Sequence, residues 1–495
     1  MKPLILVCAI AAAASAEVRL PAVLTDHMVI QRDQPVHVWG RANAGEPVSA
    51  TFHGNTRSTT ADSLGLWSIY LPPADPGGPF ELTIKGQNTI VLKDVLVGDV
   101  WVASGQSNME WQLRQAKDGA KEVAGANNPR IRLFEVSKRV SDHPLDDVEA
   151  KPWAACSPET AGTFSAVAYF FGKKVQEAVG IPVGLISSSW GGTPADSWTS
   201  LRGISADPGL MPVFAEWSKI SDELTRFRIR REKVLADWQV AVDKAKAEGR
   251  PAPGRPWAGN DRGEWAPASL YNAMIAPLTP FPIRGAIWYQ GESNASTERA
   301  GLYRRLFGAM IQDWRRAWGV GDFPFLFVQL ANFTTGPGAR WPELREAQMQ
   351  TLQLANTAMA VTIDIGEPKD IHPKNKQDVG ARLALAARVV AYGEPMEYSG
   401  PLFRSVTTEG DALRVYFNHV GKGLEAKDGE PRGFEIAGAD RKYVPAEARI
   451  EGGTLVVRSA SVPSPVYVRY AWKDDPSCNL YNSEGLPASP FRSAE

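Results

Sequence analysis

The sequence predicts an α/β protein in which a doubly wound parallel-sheet domain is flanked by β-sandwich-like N- and C-terminal regions. Two changes of pattern along the 495 residues indicate this. Short apolar runs between turn residues come first, long apolar runs alternating with helical stretches follow, and short runs return at the end. A chain of this length is too long for one ordinary domain, and its 44% hydrophobic content can build several cores.

The first sixteen residues predict a secretion signal. Lys2 gives a positive start, residues 4–14 are apolar, and residues 14–16 have the small side chains of a cleavage site. The apolar stretch is shorter than the roughly 20 residues that a membrane span needs. We therefore expect a secreted or periplasmic protein with no membrane partner. Whether the two remaining cysteines, Cys156 and Cys478, form a disulfide stays open.

Residues 17–95 predict an N-terminal β-sandwich domain. Short apolar runs, such as residues 47–52, are separated by breaks rich in glycine, proline and asparagine. The same pattern over residues 396–495, with a typical strand at 413–417, predicts a C-terminal β-rich domain.

Residues 96–395 predict the doubly wound domain. Residues 95–103 form a nearly continuous apolar run, which suits a strand buried on both faces of a parallel sheet. Similar apolar runs lie at 181–187, 283–288, 325–330 and 358–363. Helical stretches alternate with them at 166–179, 303–318 and 344–355. A charged stretch at about 205–263 predicts an inserted helix or helical hairpin, either a surface decoration or a lid or oligomer contact.

Charge and motif content exclude several kinds of partner and cofactor. The net charge is −1, and the near-neutral balance predicts no nucleic-acid partner. The sequence lacks CxxC, HExxH, Walker A and GxGxxG patterns, so we expect no metal and no organic cofactor. It also lacks the GxSxG motif of the usual α/β-hydrolases. The oligomeric state stays open.

Ser107 is the candidate nucleophile. It follows the buried run that ends at residue 103, at the edge where open α/β sheets build their sites. Backbone N–H groups at a helix start can stabilise an oxyanion, and Gly105 permits a tight turn. Taken alone, Ser107 is equally well explained as a helix N-cap.

Two later motifs, again at strand ends, supply candidate donors. The Gly191-Gly192 pair can offer a backbone N–H without side-chain obstruction. In the segment 288–294, Gln290 and Asn294 carry amides that could donate to an oxyanion, and Glu292 could position them. The alternative for each motif is an ordinary polar turn.

His372 is the candidate base, next to Asp370 in a proline-flanked loop late in the same domain. A neighbouring carboxylate can orient a catalytic imidazole. A nucleophile, two sources of oxyanion donors and a base at the ends of successive strands describe an acyl-transfer site.

In these residues the chain resembles the SGNH-hydrolase superfamily and, within it, the sialate O-acetylesterase family. The similar blocks span nearly the whole chain after the signal and lie at 105–109, 190–193, 270–275, 289–294, 370–373 and 479–482. The resemblance implies that residues 96–395 are an SGNH-hydrolase domain with Ser107 as nucleophile and His372 as base. It also implies an oxyanion hole formed by the Ser107 and Gly192 N–H groups and the Gln290 side chain, with Asn294 in reserve.

The third member of the triad departs from the superfamily pattern. That pattern places an acid three residues before the histidine, where this chain has Lys369. Asp370, another acid such as Asp364, or a Ser-His dyad remain alternatives.

The resemblance implies a secreted serine esterase that removes O-acetyl groups from a carbohydrate through an acetyl-serine intermediate. O-acetylated sialic acid is the expected substrate. An esterase for acetylated plant polysaccharide, xylan or pectin, is the alternative, and a non-catalytic carbohydrate-binding protein is an alternative from another class.

Overall fold

The computed structural model describes residues 17–256 and 263–493. The predicted secretion signal lies outside these ranges, and so do residues 257–262 of the predicted insertion. Within the described ranges, no helix combines the length and the apolar character that crossing a membrane requires.

The N-terminal region consists of short strands that pair antiparallel with one another, except the first, which pairs parallel with the later strand at residues 89–105. These are β1 (Val29–Gln31), β2 (Val36–Arg41), β3 (Pro47–Phe52), β4 (Asn55–Thr60), β5 (Leu66–Leu71) and β6 (Gly77–Lys85). β2 pairs with β5, whereas β3 pairs with both β4 and β6. In β5, Trp67, Ile69 and Leu71 are buried and the residues between them are exposed. This alternation is typical of a strand with one face on a core and one in water.

One long strand, β7 (Thr89–Gly105), joins the N-terminal strands to the central sheet. Its first half pairs with β6, and its second half runs parallel to two strands of the central sheet. From Val95 onward every residue of β7 is buried. The predicted boundary between residues 95 and 96 therefore lies inside a single strand, and the buried apolar side chains on its two sides form one continuous cluster.

The central sheet is large and mostly parallel. Besides β7 it contains β8 (Asn128–Val136), β9 (Ala150–Cys156), β10 (Val183–Ser189), β11 (Gly285–Tyr289), β12 (Phe325–Val328) and β13 (Thr357–Ala360). The spatial order is β13-β12-β11-β7-β10-β8-β9, and only β9 runs antiparallel to its neighbour. β7 lies in the middle, where open α/β sheets bind ligands at the carboxyl ends of their strands.

Helices cover both faces of this sheet. The helices of the described part of the chain are α1 (Ser107–Glu110), α2 (Gly119–Ala124), α3 (Pro158–Ala161), α4 (Ala166–Val179), α5 (Leu201–Ser205), α6 (Met211–Ala247), α7 (Ala300–Trp318), α8 (Trp341–Gln350) and α9 (Lys376–Val390). Trp101 is in register with Gly285, so Trp288 points to the opposite face from Trp101. Trp101 packs against Phe171 of α4, and Trp288 stacks on Phe307 of α7.

The predicted insertion contains one continuous helix, α6, of 37 residues. Only Val213 and Ala245, near its two ends, are fully buried. The Trp238 indole N–H donates to the Pro253 carbonyl at 3.0 Å, so the segment after α6 folds back along it. Most of this helix is therefore exposed or half-buried.

Beyond α9 the chain forms short strands around a second hydrophobic core. They are β14 (Leu402–Glu409), β15 (Ala412–Asn418), β16 (Leu424–Ala426), β17 (Phe434–Ala437), β18 (Val444–Pro445), β19 (Glu447–Glu451), β20 (Thr454–Arg458), β21 (Tyr467–Tyr470), β22 (Leu480–Asn482) and β23 (Phe491–Arg492). Two antiparallel sheets, β14-β15-β20-β19 and β18-β17-β21-β23, make up most of this region. The buried Arg345 of α8 anchors it by donating to the Lys473 and Asp474 carbonyls.

Candidate active site

Ser107 begins α1 at the carboxyl end of β7, in the middle of the sheet. The turn before it requires glycine, because Gly105 has a φ of 138° and a Cβ atom there would lie 2.2 Å from the Tyr289 carbonyl oxygen. The Gln106 N–H donates to the same carbonyl at 3.0 Å. Since α1 is a single turn, an anion here would be stabilised by the unpaired N–H groups of its first residues rather than by a long helix dipole.

His372 reaches Ser107 from the loop between β13 and α9. Its Nε2 lies 2.8 Å from Ser107 Oγ, a distance at which the imidazole can accept the hydroxyl proton. The ring stacks on Trp111, with centroids 5.2 Å apart, which limits its rotation. Burial, assisted by the charge of Lys376, lowers the pKa of His372 below its usual value. The imidazole is therefore neutral at pH 7 and able to act as a base.

Asp370 is the carboxylate closest to the other side of this imidazole. Its Oδ1 lies 3.8 Å from His372 Nδ1, an ion-pair distance that is too long for a hydrogen bond. The same oxygen accepts the His372 backbone N–H at 2.9 Å. Asp364, the other acid considered, is held by Arg382 through contacts of 2.6 and 2.8 Å. Asp370 thus supports the imidazole by its charge and by fixing the loop.

The Gly191-Gly192 turn packs directly against Ser107. A Cβ atom on Gly191 would lie 3.1 Å from Ser107 Cβ, so glycine is what allows this approach. The Gly191 N–H donates to Glu110 Oε2 at 2.6 Å, and the other oxygen of Glu110 accepts from Lys138. The Gly192 N–H makes no hydrogen bond to any described residue. It therefore remains available as a donor.

The hydrogen bonds of the buried Gln290 do not fit its predicted role as an oxyanion donor. Its Nε2 donates to the Thr193 carbonyl at 3.2 Å and to Asn294 Oδ1 at 2.7 Å, and its Oε1 accepts from the Tyr303 hydroxyl. Asn294 Oδ1 also accepts the Ala195 N–H at 2.9 Å. Both amide hydrogens of Gln290 are thus engaged, and the two side chains brace the segment that follows the glycine turn.

Gln106 directly precedes Ser107, and its side-chain amide was not among the predicted donors. Its Oε1 accepts the N–H groups of Gly291 at 3.4 Å and Ser293 at 3.3 Å. Its Nε2 has no hydrogen-bond partner in the part of the chain that the structure describes. The signal that could have identified it is its place, immediately before a candidate nucleophile at the end of a buried strand.

A buried polar cluster lies behind Ser107 and consists of Asn108, Glu292 and Lys376. Lys376 Nζ donates to Asn108 Oδ1 at 2.5 Å, and Asn108 Nδ2 donates to Glu292 Oε1 at 2.6 Å. Burial lowers the pKa of Lys376 to about 7 and raises that of Glu292. Glu292 therefore holds Asn108 rather than the predicted amides, and Lys376 was not predicted at all.

The two cysteines are separate thiols. Cys156 is buried in β9 and Cys478 is partly buried in the C-terminal region. Burial raises the pKa of both thiols to about 11, so neither is a reactive thiolate at neutral pH. Within residues 17–256 and 263–493, no group of three or more histidine, cysteine, aspartate or glutamate side chains is placed to hold a metal ion.

Comparisons with known proteins agree on one family. Residues 257–389 match the family model described as "Carbohydrate esterase, sialic acid-specific acetylesterase". The chain is 30% identical to sialate O-acetylesterase of Mus musculus, covering 99% of this chain and 96% of the mouse protein, and 30% identical to that of Homo sapiens, covering 96% and 92%. A solved carbohydrate acetylesterase from Xanthomonas citri is 41% identical, with a TM-score of 0.82 over 96% of this chain and 99% of that one.

Proposed function

The chain belongs to the sialate O-acetylesterase family and is a carbohydrate esterase, and from this premise we propose that Ser107 is its nucleophile and His372 its general base. The observation that carries the proposal is the 2.8 Å contact between His372 Nε2 and Ser107 Oγ at the carboxyl end of β7. A base in hydrogen-bond contact is what activates a serine hydroxyl. The proposal includes an SGNH-hydrolase arrangement for residues 96–395 and export to the periplasm or the medium.

The reaction begins as Ser107 Oγ attacks the acetyl carbonyl carbon and His372 Nε2 takes the hydroxyl proton. The carbonyl oxygen becomes an oxyanion, which the Ser107 and Gly192 N–H groups stabilise. His372 then gives its proton to the departing sugar oxygen, and the acetyl group stays on Ser107. In the second half, His372 takes a proton from water, the water oxygen attacks the acetyl carbon, and the proton passes to Ser107 as acetate leaves.

Asp370 stabilises the imidazolium that forms in each half of this reaction. Its carboxylate acts from 3.8 Å and without a direct hydrogen bond to Nδ1. The arrangement is therefore a Ser-His pair with electrostatic support, and Asp370 is a positioning residue for His372.

We infer that Gln106, in place of Gln290, provides the side-chain amide of the oxyanion hole, and Gln106→Glu should lower kcat about 10²–10³-fold. The substitution keeps the oxygen that accepts from Gly291 and Ser293 but replaces the NH₂ donor with an anionic oxygen. Initial rates with 4-nitrophenyl acetate measure the effect. Gln353→Glu is the matched control, because that side chain is exposed, accepts a hydrogen bond from Arg304, and should leave kcat unchanged. An unchanged kcat in Gln106→Glu would remove Gln106 from the oxyanion hole.

We propose O-acetylated sialic acid as the substrate. The description of the matching family model and the names of the curated relatives support this choice. Acetate release from O-acetylated sialic acid, acetylated xylan and acetylated pectin tests it, with the Ser107→Ala variant as the blank. We expect the highest kcat/KM for the sialic acid ester. A higher value for xylan or pectin would assign the enzyme to plant polysaccharide instead.

A further inference from the structure

Lys376, the first residue of α9, has an unusual environment for a lysine. Its side chain is fully buried. Its ammonium donates to Asn108 Oδ1 at 2.5 Å and lies over the rings of Trp111 and Tyr289, 5.8 and 5.5 Å from their centroids. An amide oxygen and two aromatic faces only partly replace water around a cation. Such a group is retained in a core only where the surroundings compensate its burial.

The compensating charge is Glu292, which acts through Asn108. The oxygen of the Asn108 amide accepts a hydrogen bond from the lysine, and its nitrogen donates one to Glu292 Oε1 at 2.6 Å. The second oxygen, Glu292 Oε2, is buried and has no hydrogen-bond partner among the described residues. A lone buried carboxylate of this kind is costly unless a cation lies close by.

Asn108 also links the two halves of the site. It directly follows Ser107 in the chain, and its Nδ2 donates to the carbonyl of Ile371, which directly precedes His372, at 2.9 Å. One side-chain amide therefore fixes the distance between the serine turn and the histidine loop. Proton transfer between Ser107 and His372 depends steeply on that distance.

We propose that Lys376 is a positioning residue of this site: its buried ammonium, balanced by Glu292, locks the Asn108 amide that holds the histidine loop against the serine turn, and places a positive charge beside the His372 ring. This inference rests on the proposed roles of Ser107 and His372. It gives a function to the lysine and to the carboxylate that the hydrolysis steps leave unused.

The charges around Lys376 and His372 predict the direction in which the lysine shifts the pKa of the histidine. His372 faces the cation of Lys376 and the carboxylate of Asp370, while Lys376 faces Glu292, Asp370 and Glu367. A nearby cation disfavours the imidazolium, so Lys376 lowers the pKa of His372. Lys376 is itself protonated below its pKa of about 7, which includes the pH range where His372 titrates.

Two neutral substitutions separate the charge from the hydrogen bond. Lys376→Met removes both, whereas Lys376→Gln removes the charge and retains an N–H donor for Asn108. In both variants the acidic limb of the kcat/KM profile should move up by about one pH unit, because the imidazole loses a neighbouring cation. Lys376→Met should also lose about 10–100-fold in kcat with little change in KM, and Lys376→Gln should lose less.

The matched control is Lys374→Met, since that lysine is exposed and its hydrogen bonds to described residues are made by its backbone, and it should show neither effect. Thermal unfolding reports whether each variant is folded, and Lys376→Gln carries the test alone if Lys376→Met is not. A lower kcat without movement of the acidic limb in a folded variant would overturn the proposal, as would a normal kcat in Lys376→Met. An active Ser107→Ala variant would instead overturn the proposed function beneath it.

Discussion

Ser107→Ala should abolish turnover, lowering kcat by about 10⁴–10⁶-fold. Without Oγ no acetyl-enzyme can form, and only the oxyanion donors remain to help water attack the ester. His372 then lacks the hydroxyl that it contacts at 2.8 Å in the intact site. Acetate release under substrate saturation measures the loss, and a fluorophosphonate that labels the unaltered protein should leave the alanine variant unlabelled.

Ser104→Ala is the matched control for that experiment. Ser104 lies three residues earlier, in β7, is fully buried, and its hydroxyl has no hydrogen-bond partner among the described residues. Its removal should leave activity and labelling at the level of the unaltered protein. Substantial turnover in Ser107→Ala would show that another group attacks the ester.

The strands and helices that the sequence predicted well are those whose burial is continuous or periodic. The helix predicted at residues 166–179 has those bounds in the structure, and the runs predicted at 283–288 and 325–330 contain most of β11 and β12. β8 was not predicted because charged residues interrupt its apolar run. One of them, Arg132, is buried against Asp94, a partner distant in sequence.

The site shows the same distinction between what a local sequence pattern predicts and what depends on contacts between residues far apart in the sequence. The position of Ser107 after one buried strand, and of His372 in the loop after a later strand, was enough to predict that they meet, since carboxyl ends of parallel strands share one edge. The choice between Gln106 and Gln290 could not be made from sequence. It depends on the Thr193 carbonyl and the Tyr303 hydroxyl, which lie in other segments and form hydrogen bonds with the Gln290 side-chain amide. The role of Lys376 depends likewise on a contact with Asn108, which lies 268 residues earlier in the sequence.

His372→Ala should lower kcat about 10⁴-fold, because the serine loses its base and the leaving sugar oxygen loses its proton donor. In the unaltered enzyme, kcat/KM should rise with pH through the titration of this imidazole, since only the neutral ring accepts a proton. Burial and Lys376 place that rise below the usual histidine pKa of about 6.5. A pH profile of kcat/KM locates it.

Asp370→Asn distinguishes a supported pair from a hydrogen-bonded triad. Because the carboxylate lies 3.8 Å from Nδ1 and is partly exposed, its removal should lower kcat only about 10-fold. The acidic limb should move further down, because the imidazolium loses an attractive charge. A 10⁴-fold loss, the cost of removing a carboxylate that bonds a catalytic imidazole directly, would mean that Asp370 closes onto Nδ1 during turnover. The size of this one ratio therefore decides which of the two arrangements performs the hydrolysis.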